Sequence, residues 1–224
     1  MSDFNQNPPA VSAGREFDQL GLVHRVRTPE GAGPHPTLIM LHGLYGNEDV
    51  TWVFARAVTR EWLVLTPRAL LQMASGYAWF APTVPPDPFS LTTALGVLHR
   101  FIAGVDVYGG DPARVVLLGF SQGAAMAYLV ALGDPAQVRG VAALSGFVPN
   151  LNRQSLPPLN GLPILMLHGT RDETIPVAYA RSTRDALQEA GAALTYEEAE
   201  IGHKTSAAQM RTLAAWLAAR LAEL

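Results

Sequence analysis

The sequence alternates between short apolar runs and longer stretches with helical periodicity. Five runs of four to seven residues are almost continuously apolar: Thr37–Leu41, Trp62–Leu65, Arg114–Phe120, Val138–Leu144 and Leu162–Leu167. Strands that are covered on both faces of a parallel sheet have this pattern. The alternation of polar and apolar residues in Leu22–Arg27 predicts an edge strand, and Leu194–Ala199 predicts a final strand.

Five stretches next to these runs predict helices. They are Val50–Thr59 with Asp49 as the N-cap, Leu91–Val105 with Ser90 as the N-cap, Gln122–Leu132, Val177–Ala190 and Thr205–Leu221. Alternating strands and helices are typical of an α/β fold, in which helices cover both faces of a mostly parallel twisted sheet. We therefore expect one domain over residues 15–224 without a large cap domain, preceded by a loose polar tail over residues 1–14.

Composition excludes several classes of function. The chain has 224 residues, 49% of them hydrophobic, and its 16 Lys and Arg against 19 Asp and Glu give a net charge of −3. Without an excess of cations to neutralise phosphates, nucleic-acid binding is not expected. The absence of cysteine excludes disulfides, thiolate catalysis and cysteine-ligated metals. Because the sequence shows neither a signal-peptide pattern nor an apolar stretch of about 18 residues, we expect a cytoplasmic protein without membrane insertion.

The strongest chemical signal is the pentapeptide GFSQG at residues 119–123. It lies between a predicted strand and a predicted helix, which is the context of a nucleophile elbow. Its glycines permit a turn tight enough to lift the Ser121 hydroxyl above the sheet edge, close to the N–H groups of a helix N-terminus. We therefore predict that Ser121 is a catalytic nucleophile.

A serine nucleophile needs a histidine base and an acid that orients the histidine. Among six histidines, His203 follows the last predicted strand, so its loop can bring it over Ser121. Asp172 follows the strand Leu162–Leu167 and is expected at the same sheet edge, with Glu173 as the alternative acid. The chain order Ser121, Asp172, His203 is the order of α/β-hydrolase triads.

A reaction of this type also needs two N–H donors for the negatively charged oxygen that develops on the substrate. The amide of Gln122, the residue after the nucleophile, is one predicted donor. The other is expected in the loop after the strand Thr37–Leu41, where Leu44 follows the flexible Gly43. His42 is expected to shape this loop rather than to act as the base.

Four segments, GFSQG, HGL, HGTRDETIP and the late GH, together resemble the phospholipase/carboxylesterase family, which includes acyl-protein thioesterases and small bacterial carboxylesterases. The resemblance covers roughly residues 36–220 and implies an α/β-hydrolase fold. It also implies the same triad and oxyanion-hole residues: Ser121, Asp172, His203, Leu44 and Gln122.

Aromatic and flexible side chains in the long connections are candidates for the acyl site. Trp79 and Phe80 resemble the aromatic pair that lies beside the acyl pocket in this family. Tyr45, Met73 and Phe147 are further candidates.

The sequence thus predicts a serine hydrolase that cleaves small-molecule carboxylic esters of short to medium acyl chains through an acyl-enzyme. No metal-ligand spacing or nucleotide-binding loop is present, so no cofactor or metal is expected. A thioesterase, a lysophospholipase and a dienelactone-like hydrolase with the same triad are alternatives, and a non-catalytic binding protein on this fold is a further one. The oligomeric state stays open, with a homodimer as one alternative.

Overall fold

The computed structural model describes residues 10–11 and 19–224. Its strands are β1 (His24–Arg27), β2 (His35–Leu41), β3 (Leu63–Pro67), β4 (Leu71–Gln72), β5 (Tyr77–Ala78), β6 (Gly110–Phe120), β7 (Gly140–Leu144), β8 (Pro163–Gly169) and β9 (Ala193–Ala199). The α-helices are α1 (Pro88–Ala103), α2 (Gln122–Gly133), α3 (Val177–Glu189) and α4 (Ala207–Glu223). Short 3-10 helices cover Val50–Ala57, Val105–Tyr108, Pro135–Gln137 and Arg153–Ser155.

Seven strands form one sheet in the order β1-β3-β2-β6-β7-β8-β9. β1 is antiparallel to β3, and the other neighbouring pairs are parallel. The predicted mostly parallel sheet is therefore confirmed. In such a sheet the carboxyl ends of the parallel strands meet at one edge, where ligands bind. β6, β8 and β9 all end at this edge, so the loops that carry Ser121, Asp172 and His203 converge there.

Two hydrophobic cores lie on opposite faces of the sheet. Apolar side chains of α1, α2 and α3 form one of them, with Phe101, Tyr128 and Leu187 at most 1% exposed. The 3-10 helix Val50–Ala57 and α4 form the other, which buries Trp62 and Leu213 completely. Burying apolar surface on both faces explains why the central strands are mainly apolar.

The helix predicted from Val50 begins where expected but differs in type and capping, and the predicted helix start at Leu91 was wrong. Val50–Ala57 is a 3-10 helix, and Asp49 makes no capping hydrogen bond. Its carboxylate instead accepts a hydrogen bond from Arg25 Nε on β1 at 2.6 Å. α1 begins at Pro88 rather than Leu91, because Asp87 is its N-cap and accepts a hydrogen bond from the Ser90 amide at 2.8 Å.

The predicted loose tail over residues 1–14 lies mostly outside the described residues, although Val11 forms an antiparallel bridge with Arg25. β4 and β5 form a small hairpin inside the connection between β3 and α1, which the sequence did not predict. Within the described range, none of the helices combines the length and the apolar character needed to cross a membrane.

Candidate active site

The turn from β6 into α2 holds Ser121 in a strained backbone conformation, with φ 53° and ψ −117°. Both flanking glycines are required by close backbone contacts. A Cβ atom on Gly119 would lie 2.3 Å from the Gly123 carbonyl oxygen, and one on Gly123 would lie 2.2 Å from the Leu41 carbonyl oxygen. Such a conformation persists only where the surrounding structure enforces it, at a cost of about 1–3 kcal/mol, and it is concentrated at functional sites.

His203 and Asp172 are in direct contact. His203 Nδ1 donates to Asp172 Oδ2 at 2.7 Å, which leaves Nε2 free of its proton and able to act as a base. The Asp172 side chain is fully buried. Its second oxygen, Oδ1, accepts hydrogen bonds from the amides of Thr174 at 2.9 Å and Ile175 at 2.8 Å. The carboxylate is therefore held in one orientation toward the imidazole.

The loops after β8 and β9 bring this pair together. The Arg171 amide donates to the Ile201 carbonyl at 3.0 Å, and a Cβ on Gly169 would lie 2.3 Å from that same oxygen. The His203 ring lies 5.0 Å, centroid to centroid, from the ring of Phe120, the residue before Ser121. The structure thus gathers the three predicted triad residues at one sheet edge.

A second histidine near Asp172 has another partner, and the alternative acid faces solvent. His168 Nε2 donates to the Ile175 carbonyl at 2.8 Å and lies 3.6 Å from Asp172 Oδ2, beyond hydrogen-bond distance. Glu173 is exposed and forms no ion pair with the described residues. Of the two predicted acids, Asp172 is the one that contacts a histidine.

His42 orients the loop that carries Leu44. The ring is completely buried, with Nδ1 donating to the Gly43 carbonyl at 2.7 Å and Nε2 accepting from the Ala69 amide at 3.0 Å. Because the Gly43 carbonyl and the Leu44 N–H belong to one planar peptide, fixing the carbonyl also fixes the direction of the N–H. Neither the Leu44 nor the Gln122 amide donates a hydrogen bond within the described part of the chain. Both are available to a ligand.

The Gln122 side chain has a role that the sequence did not indicate. Its Oε1 accepts from the Trp79 amide at 2.9 Å, and its Nε2 donates to the Phe80 carbonyl at 2.8 Å. Trp79 Nε1 in turn donates to the His42 carbonyl at 2.8 Å. Trp79 is 1% exposed and Phe80 is 7% exposed, so both candidate acyl-site residues pack in the core.

The remaining candidates lie apart from one another. Tyr45 is 53% exposed and lines a cavity of about 630 Å³ that also includes His203. Phe147 lines a second cavity of about 450 Å³ and contacts the Tyr179 ring, with 5.2 Å between centroids. Met73 is half-buried in the turn of the β4–β5 hairpin, where its amide donates to the Gly76 carbonyl at 2.9 Å.

The sequence pattern of a family described as Phospholipase/Carboxylesterase matches residues 25–221. The chain belongs to this family. Membership indicates an esterase-type hydrolase. The matched range includes the elbow and the Asp172–His203 pair described above.

Proteins similar in sequence to this chain are named either carboxylesterases or acyl-protein thioesterases. A probable carboxylesterase SOBER1-like of Arabidopsis thaliana is 30% identical over 61% of this chain and 54% of the plant protein, so the match spans about half of that relative. Acyl-protein thioesterase 1 of Kluyveromyces lactis is 26% identical, over 89% of this chain and 98% of the yeast protein. The crystal structure of the Bacillus cereus carboxylesterase has a TM-score of 0.83 and 22% identity, covering 92% of this chain and 100% of that one, which shows the shared fold.

Burial of His42 predicts a pH-dependent stability for this family member. Burial lowers the pKa of His42 from its ordinary value of 6.5 to about 4. The unfolded chain therefore binds this proton more readily, and stability falls as the pH drops from 6.5 towards 4, by at most about 3 kcal/mol. Urea unfolding at pH 7 and pH 5 measures the difference in the free energy of unfolding. This difference should be smaller in His42→Gln and unchanged in the control His35→Gln. An unchanged pH dependence in His42→Gln would assign it to another group.

Proposed function

We propose that this chain hydrolyses carboxylic esters through a covalent acyl-enzyme on Ser121. The observation that carries the proposal is the 2.7 Å contact between His203 Nδ1 and Asp172 Oδ2 at the sheet edge where the strained elbow ends. A base that is oriented by a buried carboxylate, at the same sheet edge as a serine in an enforced conformation, supports nucleophilic catalysis.

In the first step the Ser121 Oγ attacks the acyl carbon while His203 Nε2 takes the hydroxyl proton. The amides of Leu44 and Gln122 donate to the oxygen that becomes negatively charged. The bond from the acyl carbon to the leaving oxygen then breaks, and His203 gives its proton to that oxygen. Water releases the acid by the same sequence, with His203 again acting first as base and then as acid.

Covalent labelling tests this proposal. A fluorophosphonate probe should modify the wild-type protein once, and peptide mass spectrometry should locate the adduct on Ser121. Labelling should disappear when His203 is replaced by glutamine, because the hydroxyl then lacks its base. An adduct on another residue, or none, would contradict a serine hydrolase with this nucleophile.

A thioesterase is the second candidate, because the Kluyveromyces lactis relative that aligns over nearly its whole length is named an acyl-protein thioesterase. The triad acts on oxygen and thiol esters alike. Matched oxygen and thiol esters with one acyl group separate the two activities. For each ester, kcat/KM is divided by the rate of alkaline hydrolysis. A higher normalised value for the thiol ester than for the oxygen ester would favour the thioesterase.

The acyl group is proposed to lie on the side of Ser121 that faces Phe147. A Cβ on Gly146 would be 3.2 Å from the Ser121 carbonyl oxygen, so the loop after β7 packs directly against the elbow. The next residue, Phe147, lines the cavity of about 450 Å³. Its walls come from one loop and from residues of α3, with no lid-sized insertion among the described residues, so we expect it to cover a short or medium chain rather than a long one.

We therefore expect kcat/KM to rise with chain length and then level off. Each further buried methylene contributes about 0.8 kcal/mol until the cavity is filled, after which additional carbons extend into water. The measurement uses p-nitrophenyl esters of graded acyl length, below and above their solubility limits. A steady rise to sixteen carbons, or a jump in rate at the emulsion threshold, would contradict this enclosed acyl site.

A further inference from the structure

The larger cavity, of about 630 Å³, has no role in the acyl assignment above. It lies between the loop Gly43–Gly46, the 3-10 helix Val50–Ala57 and the segment from His203 to Met210. The cavity therefore connects the loop that presents the Leu44 amide with the imidazole of His203.

The position of His203 decides which part of an ester this cavity receives. The imidazole must donate its proton to the leaving oxygen or sulfur, so the leaving group has to lie within hydrogen-bond reach of His203. The acyl group occupies the Phe147 side in the proposed function. The alcohol or thiol portion of the substrate is then the part that enters the larger cavity.

Two cations line this cavity. Arg56 and Lys204 are both exposed, and neither forms an ion pair with any of the described residues. Arg56 Nε donates to the Val53 carbonyl at 3.1 Å, which leaves the two terminal nitrogens of the guanidinium available. Lys204 is the only lysine in the sequence. This cavity therefore carries a local positive charge, although the net charge of the whole chain is −3.

No acidic side chain belongs to the described lining that would neutralise these cations. The two acids that precede the 3-10 helix already have basic partners outside the cavity. Arg68 pairs with Glu48, whose pKa the guanidinium lowers, and Arg25 pairs with Asp49 at 2.6 Å.

The rest of the wall is mainly apolar. Val50 and Val53 are 50% and 49% exposed, and Phe54 and Met210 complete this surface. Tyr45, which is half-exposed, also lines the cavity. A ligand with an apolar body and an anionic group matches such a surface better than a neutral or a cationic ligand does.

We propose that this cavity selects esters or thioesters whose leaving group carries a carboxylate or a phosphate, with Arg56 and Lys204 as the residues that recognise the anion. This inference rests on the proposed function. In the acylation step the bond between Ser121 Oγ and the acyl carbon forms, the acyl carbon–oxygen bond breaks, and the serine proton passes through His203 to the leaving oxygen. The anionic group takes no part in these steps and acts by binding alone.

The test compares three butyryl esters that share one acyl group. Their leaving groups are 4-hydroxybenzoate, 4-hydroxyphenyl phosphate and the neutral 4-hydroxybenzamide, and each kcat/KM is divided by the rate of hydrolysis by hydroxide. Exposed charge pairs contribute up to about fivefold each, so the wild-type protein should prefer at least one anionic ester by about tenfold at low salt. The preference should weaken at high ionic strength because the cations are exposed.

Removing the two cations should remove the preference. The double variant Arg56→Gln/Lys204→Gln should bring the anionic-to-neutral ratio close to one. Arg100→Gln, an exposed arginine on α1 at the opposite face of the sheet, changes the net charge without touching the cavity and should keep the wild-type ratio. A preference for the carboxylate ester alone or the phosphate ester alone identifies which anion is recognised.

Two results would overturn the inference. Hydrolysis of all three esters at equal normalised rates would remove the anionic subsite and leave the esterase function intact. An equal loss of preference in Arg100→Gln would assign the effect to the charge of the whole protein. Failure to hydrolyse any of the three esters would instead contradict the proposed function itself.

Discussion

Replacing Ser121 with alanine is expected to lower kcat for ester hydrolysis by about 10⁴-fold or more, because triad residues act as a unit and the loss of the nucleophile removes the covalent route. The fold should be retained. The side chain makes no hydrogen bond with the described residues, and the backbone conformation is imposed by the contacts of Gly119 and Gly123 rather than by the hydroxyl. Steady-state kinetics with a p-nitrophenyl ester measures the loss of kcat. Circular dichroism and thermal unfolding show whether the fold is retained.

Ser145 provides a matched control for this variant. It lies at the end of the neighbouring strand β7, is 1% exposed and also has a positive φ, of 50°. Ser145→Ala therefore removes a hydroxyl from a similar backbone environment and should keep more than a tenth of the wild-type kcat. If Ser121→Ala keeps that much activity, Ser121 is not the nucleophile.

Asp172→Asn is expected to lower kcat by about 10⁴-fold, as the corresponding change does in a serine protease. The amides of Thr174 and Ile175 donate to Oδ1, so an asparagine must place its carbonyl oxygen there and its NH₂ group toward His203. That NH₂ group donates to His203 Nδ1 and forces the ring proton onto Nε2, which can then no longer accept the serine proton. The measurement is kcat across pH 5 to 10 for both proteins.

Glu173→Gln is the matched control, because it removes the neighbouring carboxylate, which is exposed. Its kcat should stay close to that of the wild-type protein. Equal losses in the two variants would leave the acid unassigned, and a larger loss in Glu173→Gln would transfer the role to Glu173.

The central sheet was predictable because its residues carry the information themselves. A strand buried on both faces is mainly apolar, and β2, β3, β7 and β8 show this directly in the sequence. The capping of the helix at Val50 was less predictable because it depends on a partner that is distant along the chain. Asp49 matches an N-cap in sequence, but its carboxylate is bound by Arg25, 24 residues earlier.

The same distinction applies to the candidate site. Ser121, Asp172 and His203 were proposed from local motifs that follow strands, and strand ends are brought together by the topology alone. The supporting contacts of Gln122 with Trp79 and of His42 with Ala69 join residues 43 and 27 positions apart. No local pattern encodes such contacts. For that reason the burial of Trp79 and its hydrogen bonds with Gln122 and His42 emerged only from the structure.

Part of the wall of each cavity comes from a segment that holds none of the proposed reacting groups. The proposed catalytic groups follow β6, β8 and β9, whereas the 3-10 helix Val50–Ala57 lines the larger cavity and the loop after β7 lines the smaller one. Substitutions in these two segments alter shape and charge around the substrate without displacing the proposed nucleophile, base or acid. Evolution or laboratory selection is therefore free to diversify substrate range on this scaffold while the chemistry stays constant.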